Sequence, residues 1–378
     1  CASERRIGAI LSCLNIVLQT IVNFLYIPLL LYYIGQEEFG LFQLIGSLIA
    51  YLSLLDASFS SMVIRFYAKY LAEEDELSAE NILAVSQRIY FILGLVILII
   101  GGGGYYFIPS IFSDSMSRAE INEGLNIYLL LLMNFIFTML GMVYQAVINA
   151  RQKFLFLRGT SCLQTVLQPL LVLVLLQEYP NALGVAVATT ILNVILIIWR
   201  WGYARYKLHI CIKYHYWNKE LFRGVGWFLL MQFIVAVVDM VFFKTNQVIL
   251  GIINGTAAVA TYAIASNIQN AYMMLSVSIS GVFLPHVTEM VARGAKAEEI
   301  SAFFIRIGRI QFFALGLVAS GFIIFGQEFI KIWAGDEFAE SYWIALLIML
   351  PFTVDLIQNV GFTILQAMNR YGIRASVH

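Results

Sequence analysis

Long apolar runs separated by short polar segments make up most of the chain. About twenty apolar residues carry a helix across the hydrocarbon core of a bilayer, and the runs lack the alternation that barrel strands require. Each run therefore predicts a membrane-spanning helix, and the fold class is all-α. The ten predicted spans are residues 7–34, 39–64, 83–108, 124–149, 155–177, 183–203, 224–251, 258–286, 303–325 and 341–366.

The seventh span carries ionisable residues in its middle. Within the apolar stretch 224–255, Asp239 and Lys244 lie where a charge costs roughly 2.5–3.5 kcal/mol. Gln232, Asp239 and Asn246 follow one another at intervals of seven, so they share nearly one face, with Lys244 on an adjacent face. Two interpretations fit this pattern. The two charges pair with neighbouring helices and hold the bundle together, or the face lines a polar cavity for a charged substrate.

The first span also has a polar face. Asn15, Gln19, Asn23 and Tyr26 follow i, i+4, i+8, i+11 spacing. Polar residues on a membrane helix often join neighbouring helices, and that explanation suits any single one of them. The presence of a stripe on both spans favours a second explanation, in which the first and seventh spans face each other across a hydrated gap.

Composition agrees with a membrane protein and excludes a soluble domain. Hydrophobic residues make up 61% of the chain and charged residues 12%, whereas about a quarter of a soluble domain is charged. Cys13 and Cys162 fall inside predicted spans, so no disulfide framework is indicated. Arg5 and Arg6 precede the first apolar run without a small-residue cleavage site, which predicts a retained span and not a signal peptide.

The basic residues predict the orientation of the chain. With the N-terminus in the cytoplasm, 20 of the 23 Lys and Arg residues lie in cytoplasmic segments, Arg118 and Lys331 lie outside, and Lys244 lies in a span. Basic loops resist translocation, so this orientation is favoured. The cytoplasmic segment 204–223 is a basic, aromatic, amphipathic linker. Such a composition is typical of a segment at the headgroup level, although the segment would serve equally as a plain connection.

The two halves of the chain have similarly spaced landmarks. A shift of 220 residues brings Gly35 onto Gly255, Gly101 onto Gly321, Gly141 onto Gly361 and Asn149 onto Asn369, and it makes Gln19 the counterpart of Asp239. The pattern predicts two parallel repeats of six helices. We expect an N-terminal lobe at 1–203, the linker at 204–223 and a C-terminal lobe at 224–378 whose last two helices are missing, so that the intact protein has at least twelve spans.

Several segments resemble a known family of transporters. They are YYIGQEEFGLFQLIGSL at 32–48, SSMVIRFYAKYLAE at 60–73, QAVINARQKF at 145–154, VILGIINGTAAVATYAIASNI at 248–268 and FLPHVTEMVARG at 283–294. The chain resembles the polysaccharide flippases, which carry O-antigen and capsule repeat units and share a superfamily with the MATE drug exporters. It departs from that family at Asn246 and Gln247, where many members have an Asp before the ILG turn.

The resemblance implies a MATE-like bundle of two lobes in the bacterial cytoplasmic (inner) membrane. Its implied substrate is a polyprenyl-diphosphate oligosaccharide, moved to the outer leaflet by alternating access. Lys244 would meet the diphosphate, and Asp239, Asp56 and Asp355 are candidates for coupling to H⁺ or Na⁺. The other implied partners are membrane lipids and polysaccharide assembly proteins. The predicted cavity residues are Asn15, Gln19, Asn23, Gln232, Asp239, Lys244 and Asn246.

Three other functions compete with this one. A MATE-type exporter of small cations would need an acidic cavity, and Asp56, Asp239 and Asp355 outnumber Lys244 within the spans. A membrane polymerase or ligase would need sizeable basic outer loops, and the outer loops here are short. A passive assembly subunit would not need polar stripes. No GxxxxGK[ST] motif is present, and we expect no catalytic residue, no cofactor, no metal and no nucleic-acid partner.

Overall fold

The computed structural model describes residues 2–55, 59–216 and 219–368, and this part of the chain is helical almost throughout. The eleven helices are α1 Ala2–Leu52, α2 Phe59–Ala72, α3 Glu76–Phe112, α4 Arg118–Ala150, α5 Phe154–Glu178, α6 Ala182–Gly202, α7 Lys219–Asn254, α8 Thr256–Ala292, α9 Ala297–Ala334, α10 Ser341–Ile357 and α11 Asn359–Ala367. Short turns at Ser53–Leu55, Tyr203–Lys207 and Asp336–Phe338 complete them. The all-α prediction is confirmed.

Helix length and hydropathy make this a multi-pass membrane protein. Seven helical segments of the described chain are long and apolar enough to cross a bilayer, among them Glu76–Phe112 and Ala297–Ala334. Helix α1 contains the first predicted span and the beginning of the second, because the helix continues across a kink at Gly35. That residue has φ 75° and ψ 179°, a conformation that glycine adopts without the steric cost of a Cβ. The second predicted span, 39–64, is divided, since α1 ends at Leu52 and α2 begins at Phe59.

Side-chain caps begin several helices next to short connections. Ser117 and Glu120 form a reciprocal capping box at the start of α4. The Asn181 side chain accepts from Gly184 N (2.9 Å) at the start of α6. At the start of α3, Asp75 accepts from Ser78 N (3.0 Å), and hydrogen bonding by Ser78 lowers the pKa of the Asp75 carboxyl. These caps satisfy backbone groups that a helix end leaves open.

The chain divides into two compact units, residues 1–259 and 260–378. The first contains α1 to α7 around a core in which Leu44, Ile97, Ile127 and Val143 are completely buried. Helix α1 packs along α5, and α4 lies between α3 and α6. Small residues allow close approach, since a Cβ at Gly251 of α7 would lie 2.6 Å from a Leu44 methyl group.

The second unit contains the rest of α8 with α9, α10 and α11. Val287, Ile307, Val360 and Ile364 form an apolar cluster there. The predicted tenth span is divided, since α10 ends at Ile357 and α11 begins at Asn359.

Buried polar groups lie next to the end of α10. Ser276 Oγ donates to Leu356 O (2.8 Å), and Asn359 Nδ2 donates to Ser276 Oγ (3.3 Å). Gln311 Nε2 reaches Ser280 Oγ at 2.7 Å. The two bonds of Ser276 satisfy polar groups where the helix is interrupted inside an apolar unit.

The linker is attached to the first unit over the part that the structure describes. After the π-helical turn Tyr203–Lys207 it has no regular structure up to residue 216. Arg151 Nη1 donates to Leu208 O (2.8 Å), and the Asn81 side chain bonds to backbone groups of His215 and Tyr216. The Arg88 guanidinium stacks on the Tyr214 ring at 3.8 Å. Its tyrosines are therefore partly engaged by the protein, and its role at the membrane stays a prediction.

Candidate functional site

A polar cavity of about 270 Å³ lies between α1 and α5. It is lined by Asn15, Gln19, Val22, Asn23 and Tyr26 from α1 and by Ser161, Gln164, Thr165, Gln168 and Pro169 from α5. Three predicted cavity residues, Asn15, Gln19 and Asn23, thus lie together. Gln19 and Asn23 are exposed and Asn15 is half-buried, so the cavity is open at the α1 face.

Helical periodicity builds the cavity from both sides. On α5, Ser161, Gln164, Thr165 and Gln168 follow i, i+3, i+4, i+7 spacing, which places them on one face. Thr165 Oγ1 lies 3.0 Å from Ser161 O and 3.3 Å from Asn15 Oδ1, and its proton donates to one of them at a time. A polar side-chain contact therefore joins the two helices.

Pro169 adds a backbone acceptor to the same region. It lies inside α5, and a proline has no N–H to give to the carbonyl four residues earlier, here that of Thr165. That carbonyl keeps capacity for another donor at the cavity wall.

Every residue that lines this cavity is uncharged. Primary amides offer both donors and acceptors, and hydroxyls offer one donor with two acceptor positions. A wall of this kind matches a neutral ligand rich in hydroxyl groups. It provides no carboxylate for a cationic ligand and no cation for a phosphate.

The charged residues predicted for the site lie elsewhere, on α7. Asp239 and Lys244 are both half-buried, and neither forms an ion pair with any residue that the structure describes. Pairing with neighbouring helices therefore does not account for these two charges within the described residues. Neither residue lines the α1–α5 cavity.

The remaining predicted residues are dispersed. Asn246 is exposed on α7, and Asp355 is exposed on α10 in the other unit. Asp56 and the side chain of Gln232 lie outside the described residues. Their roles stay predictions.

The side of α7 that packs on α1 carries other residues. Thr245 Oγ1 and Tyr51 OH share a hydrogen bond of 2.6 Å, and Gly251 contacts Leu44. Both contacts lie on the part of α1 that follows the kink at Gly35. Gln247 is only 4% exposed, and its amide oxygen has no hydrogen-bond donor among the described residues.

The other residues that line the site are marked more weakly in the sequence. Gln164 and Gln168 are as compatible with packing as with a cavity, and Ser161 and Thr165 share a helix face with them by spacing alone. Gln247 is adjacent to Asn246 in a stretch that departs from the resemblance. Burial, which the sequence does not contain, distinguishes Gln247 from Asn246.

Comparison with known proteins agrees with this architecture. Residues 7–291 match the sequence profile of a family described as "Polysaccharide biosynthesis protein". No curated protein sequence matches the chain.

Solved structures of MATE transporters share the fold. An inward-facing multidrug resistance MATE family transporter of the MOP superfamily aligns with 93% of this chain and 81% of its own, at 14% identity and a TM-score of 0.72. An outward-facing transporter of the same description aligns with 98% and 83%, at 15% identity and a TM-score of 0.64. A MATE protein in complex with MaL6 aligns with 98% and 84%, at 16% identity and a TM-score of 0.64.

Proposed function

The chain belongs to the polysaccharide biosynthesis protein family, and from this premise we propose that it moves lipid-linked oligosaccharides across the bacterial cytoplasmic membrane. Its fold is shared with MATE transporters of the MOP superfamily, which supports a transport function. The proposed substrate has a glycan and a diphosphate that must cross the apolar core, and a polyprenyl tail that remains in lipid. Alternating access between two lobes would carry it from the cytoplasmic to the outer leaflet.

The observation that carries this proposal is the uncharged polar lining of the α1–α5 cavity. Glycan hydroxyls lose their hydrogen bonds to water on entering the membrane, and each unpaired polar group costs several kcal/mol there. The amides of Gln19, Asn23 and Gln168 supply replacement donors and acceptors. Because the wall is neutral, it accepts sugars without requiring a charged group on them.

The diphosphate needs a different partner, for which Lys244 is suited. A phosphate group crossing a medium of low dielectric must be neutralised or solvated. Lys244 is half-buried within α7 and has no carboxylate partner among the described residues. An ammonium group with no intramolecular counter-charge is available to phosphate oxygens.

A MATE-type exporter of small cations is the second candidate, and it is favoured by one observation. Asp239 is half-buried without an ion pair to a described residue, so it would offer a carboxylate to a cationic ligand. The uncharged α1–α5 cavity argues for the glycan instead.

A transport assay with matched glutamine variants separates the two functions. Gln19→Leu/Gln168→Leu removes two amides from the cavity, and the loss of about 1 kcal/mol for each hydrogen bond predicts roughly thirtyfold slower export. The chain is expressed in a strain that lacks its own repeat-unit transporter, and surface glycan and cytoplasmic-side lipid-linked glycan are quantified. Gln177→Leu is the control, since Gln177 is an exposed residue of α5 outside the cavity.

The result expected is loss of surface glycan with accumulation of the lipid-linked precursor in the double variant alone. If the double variant restores as much surface glycan as the unmodified chain, the cavity has no role in glycan transport. If the unmodified chain restores no glycan but lowers the susceptibility of the strain to cationic compounds, the exporter is the correct function.

A further inference from the structure

A second cavity, of about 370 Å³, lies on the surface of the first unit between α3, α4 and α6. We call it the α3–α4–α6 groove. It is lined by Gln87, Phe91, Phe137, Leu140, Gly141, Tyr144, Ile197, Ile198 and Trp201. Phe91, Phe137, Ile198 and Trp201 are exposed at its rim. The groove is therefore open to the surroundings of the helices, which in a membrane are lipid chains.

The polar residues of the groove lie at one end of it. Tyr144 lies in the penultimate turn of α4, and Trp201 is the penultimate residue of α6. Gln87 Nε2 and Tyr144 OH are 3.5 Å apart. Tyrosine and tryptophan favour the interface between headgroups and chains, and the charge pattern predicts that this end of the helices is cytoplasmic. The groove thus extends from the cytoplasmic headgroup level towards the bilayer centre.

Arg200 lies beside this polar end. Gly141 of α4 packs against Ile197 of α6 in the groove, and one turn further along both helices Arg200 Nη1 donates to Gln145 Oε1 (2.9 Å). Arg200 is half-buried. Its Nε atom is buried without a hydrogen-bond acceptor among the described residues.

No described carboxylate lies within ion-pair distance of Arg200. A half-buried guanidinium that bonds only to a neutral amide lacks the counter-charge that would offset its desolvation. A guanidinium also presents its N–H groups in a fork that matches phosphate oxygens. The end of the groove is therefore complementary to an anionic phosphate group.

We propose that the α3–α4–α6 groove is the loading site for the carrier lipid, with the prenyl chain in the groove and the diphosphate at Arg200. This inference rests on the proposed function and names where its substrate first binds. A prenyl diphosphate carries one apolar chain next to two phosphates, which corresponds to one groove next to one unpaired cation. Lys244 would then receive the diphosphate during translocation, after it leaves Arg200.

Two pairs of variants of the purified chain in micelles test the groove and the cation separately. Arg200→Gln removes the charge, and Arg200→Lys keeps it. Ile198→Trp fills the groove, whereas Ile195→Trp places the same side chain elsewhere on α6, where Ile195 is 53% exposed and Ile198 is 58% exposed. The probes are farnesyl diphosphate, farnesol and phosphatidylglycerol, and binding is measured by native mass spectrometry.

The unmodified chain is expected to bind farnesyl diphosphate at least tenfold more tightly than farnesol, since hydrogen bonds to a charged group are stronger than those between neutral groups. Arg200→Gln should abolish this difference, and Arg200→Lys should keep part of it. Ile198→Trp should weaken both prenyl probes, and Ile195→Trp should change neither. If Arg200→Gln prevents folding, the tryptophan pair still decides the question.

Three outcomes would overturn the inference. They are unchanged farnesyl diphosphate binding in Arg200→Gln, equal effects of the two tryptophan variants, and equally tight binding of phosphatidylglycerol, which would identify a resident phospholipid site. The transport assay reports independently on the proposed function. If the unmodified chain exports glycan and any of these outcomes is observed, the proposed transport function stands and only the loading role of the groove is rejected.

Discussion

Ser115 Oγ donates a hydrogen bond to Gly251 O at 2.8 Å, which joins the connection between α3 and α4 to the last turn of α7. Two further bonds lie nearby, from Thr256 Oγ1 to Glu120 Oε1 (2.9 Å) and from Gln36 Nε2 to Ala257 O (3.3 Å). We call these three bonds the outer clasp, because the charge pattern predicts that this end of the helices faces outwards. Alternating access to the outer side would require α7 to separate from α1 and α4 here, so the clasp is expected to favour the closed outer side.

Weakening the clasp should expose the outer side more often. Ser115→Ala/Thr256→Val removes two side-chain donors at about 1 kcal/mol each, which predicts a clear shift of a two-state equilibrium towards outer opening. The measurement is the rate at which a membrane-impermeant thiol reagent labels a cysteine introduced at Thr245. Ser113→Ala is the control, because Ser113 is exposed and its hydroxyl lies near Ser110 O and Asp114 Oδ1, outside the clasp. Equal labelling in the control and the double variant would contradict the role of the clasp.

Gly255 should be required for the stability of the connection between α7 and α8. It has φ 80°, where a residue other than glycine costs about 1–3 kcal/mol, and a Cβ there would lie 2.8 Å from Ser115 O. Gly255→Ala is expected to lower the temperature at which the purified protein unfolds. Gly281→Ala is the matched control, since Gly281 lies within α8 and a Cβ there meets open space. An unfolding temperature no lower than that of Gly281→Ala would show that the neighbouring backbone adjusts without cost.

Asn81 should hold the linker against α3. Its amide is nearly buried and donates to Tyr216 O (2.8 Å) while accepting from His215 N (2.8 Å) and Tyr216 N (3.0 Å). Asn81→Ala leaves these backbone groups without their partner, at a cost of about 1–3 kcal/mol. Limited proteolysis within residues 208–216 should become faster in this variant. Asn122→Ala, at an exposed position of α4, should be cleaved at the rate of the unmodified chain, and equal rates for both variants would refute the proposed role of Asn81.

Local features of the sequence were sufficient to predict the all-α fold and which polar residues share a helix face. Apolar run length predicted long apolar helices, although it gave ten spans where seven segments of the described chain are long and apolar enough to cross a bilayer. The landmark shift paired Gly35 with Gly255, which have similar positive φ values of 75° and 80°. Helical periodicity placed Asn15, Gln19 and Asn23 on one face, and the structure brings all three to one cavity. Periodicity reports which residues share a face, because that relation is set within a single helix.

Which helix packs against each polar face depends on contacts between residues distant in sequence, so helical periodicity could not predict it. Helix α1 meets α5 at the polar cavity, and the hydrated gap between the first and seventh spans stays a prediction. On α7, the seven-residue spacing identified Asn246, which is exposed, whereas Gln247 is buried. The interruption at Gln358 also escaped prediction, because the side chain that bonds to residues on both sides of it, Ser276, comes from α8, which is distant in sequence.

Substitution of Lys244 tests whether the proposed mechanism needs a cation for the diphosphate. The ammonium group is half-buried on α7 without an ion pair to a described residue, so its removal deletes no such bond, and an uncharged residue is cheaper to insert into a membrane. Lys244→Ala should therefore accumulate in the membrane at normal levels and fail to restore surface glycan in a strain that lacks the transporter. Lys244→Arg should keep part of the activity, because the charge remains while its shape changes.

Full surface glycan from Lys244→Ala would exclude Lys244 from the mechanism, and loss of the protein from the membrane would assign the residue to stability. Lipid-linked glycan should accumulate in Lys244→Ala, since loading at Arg200 precedes the step that needs Lys244.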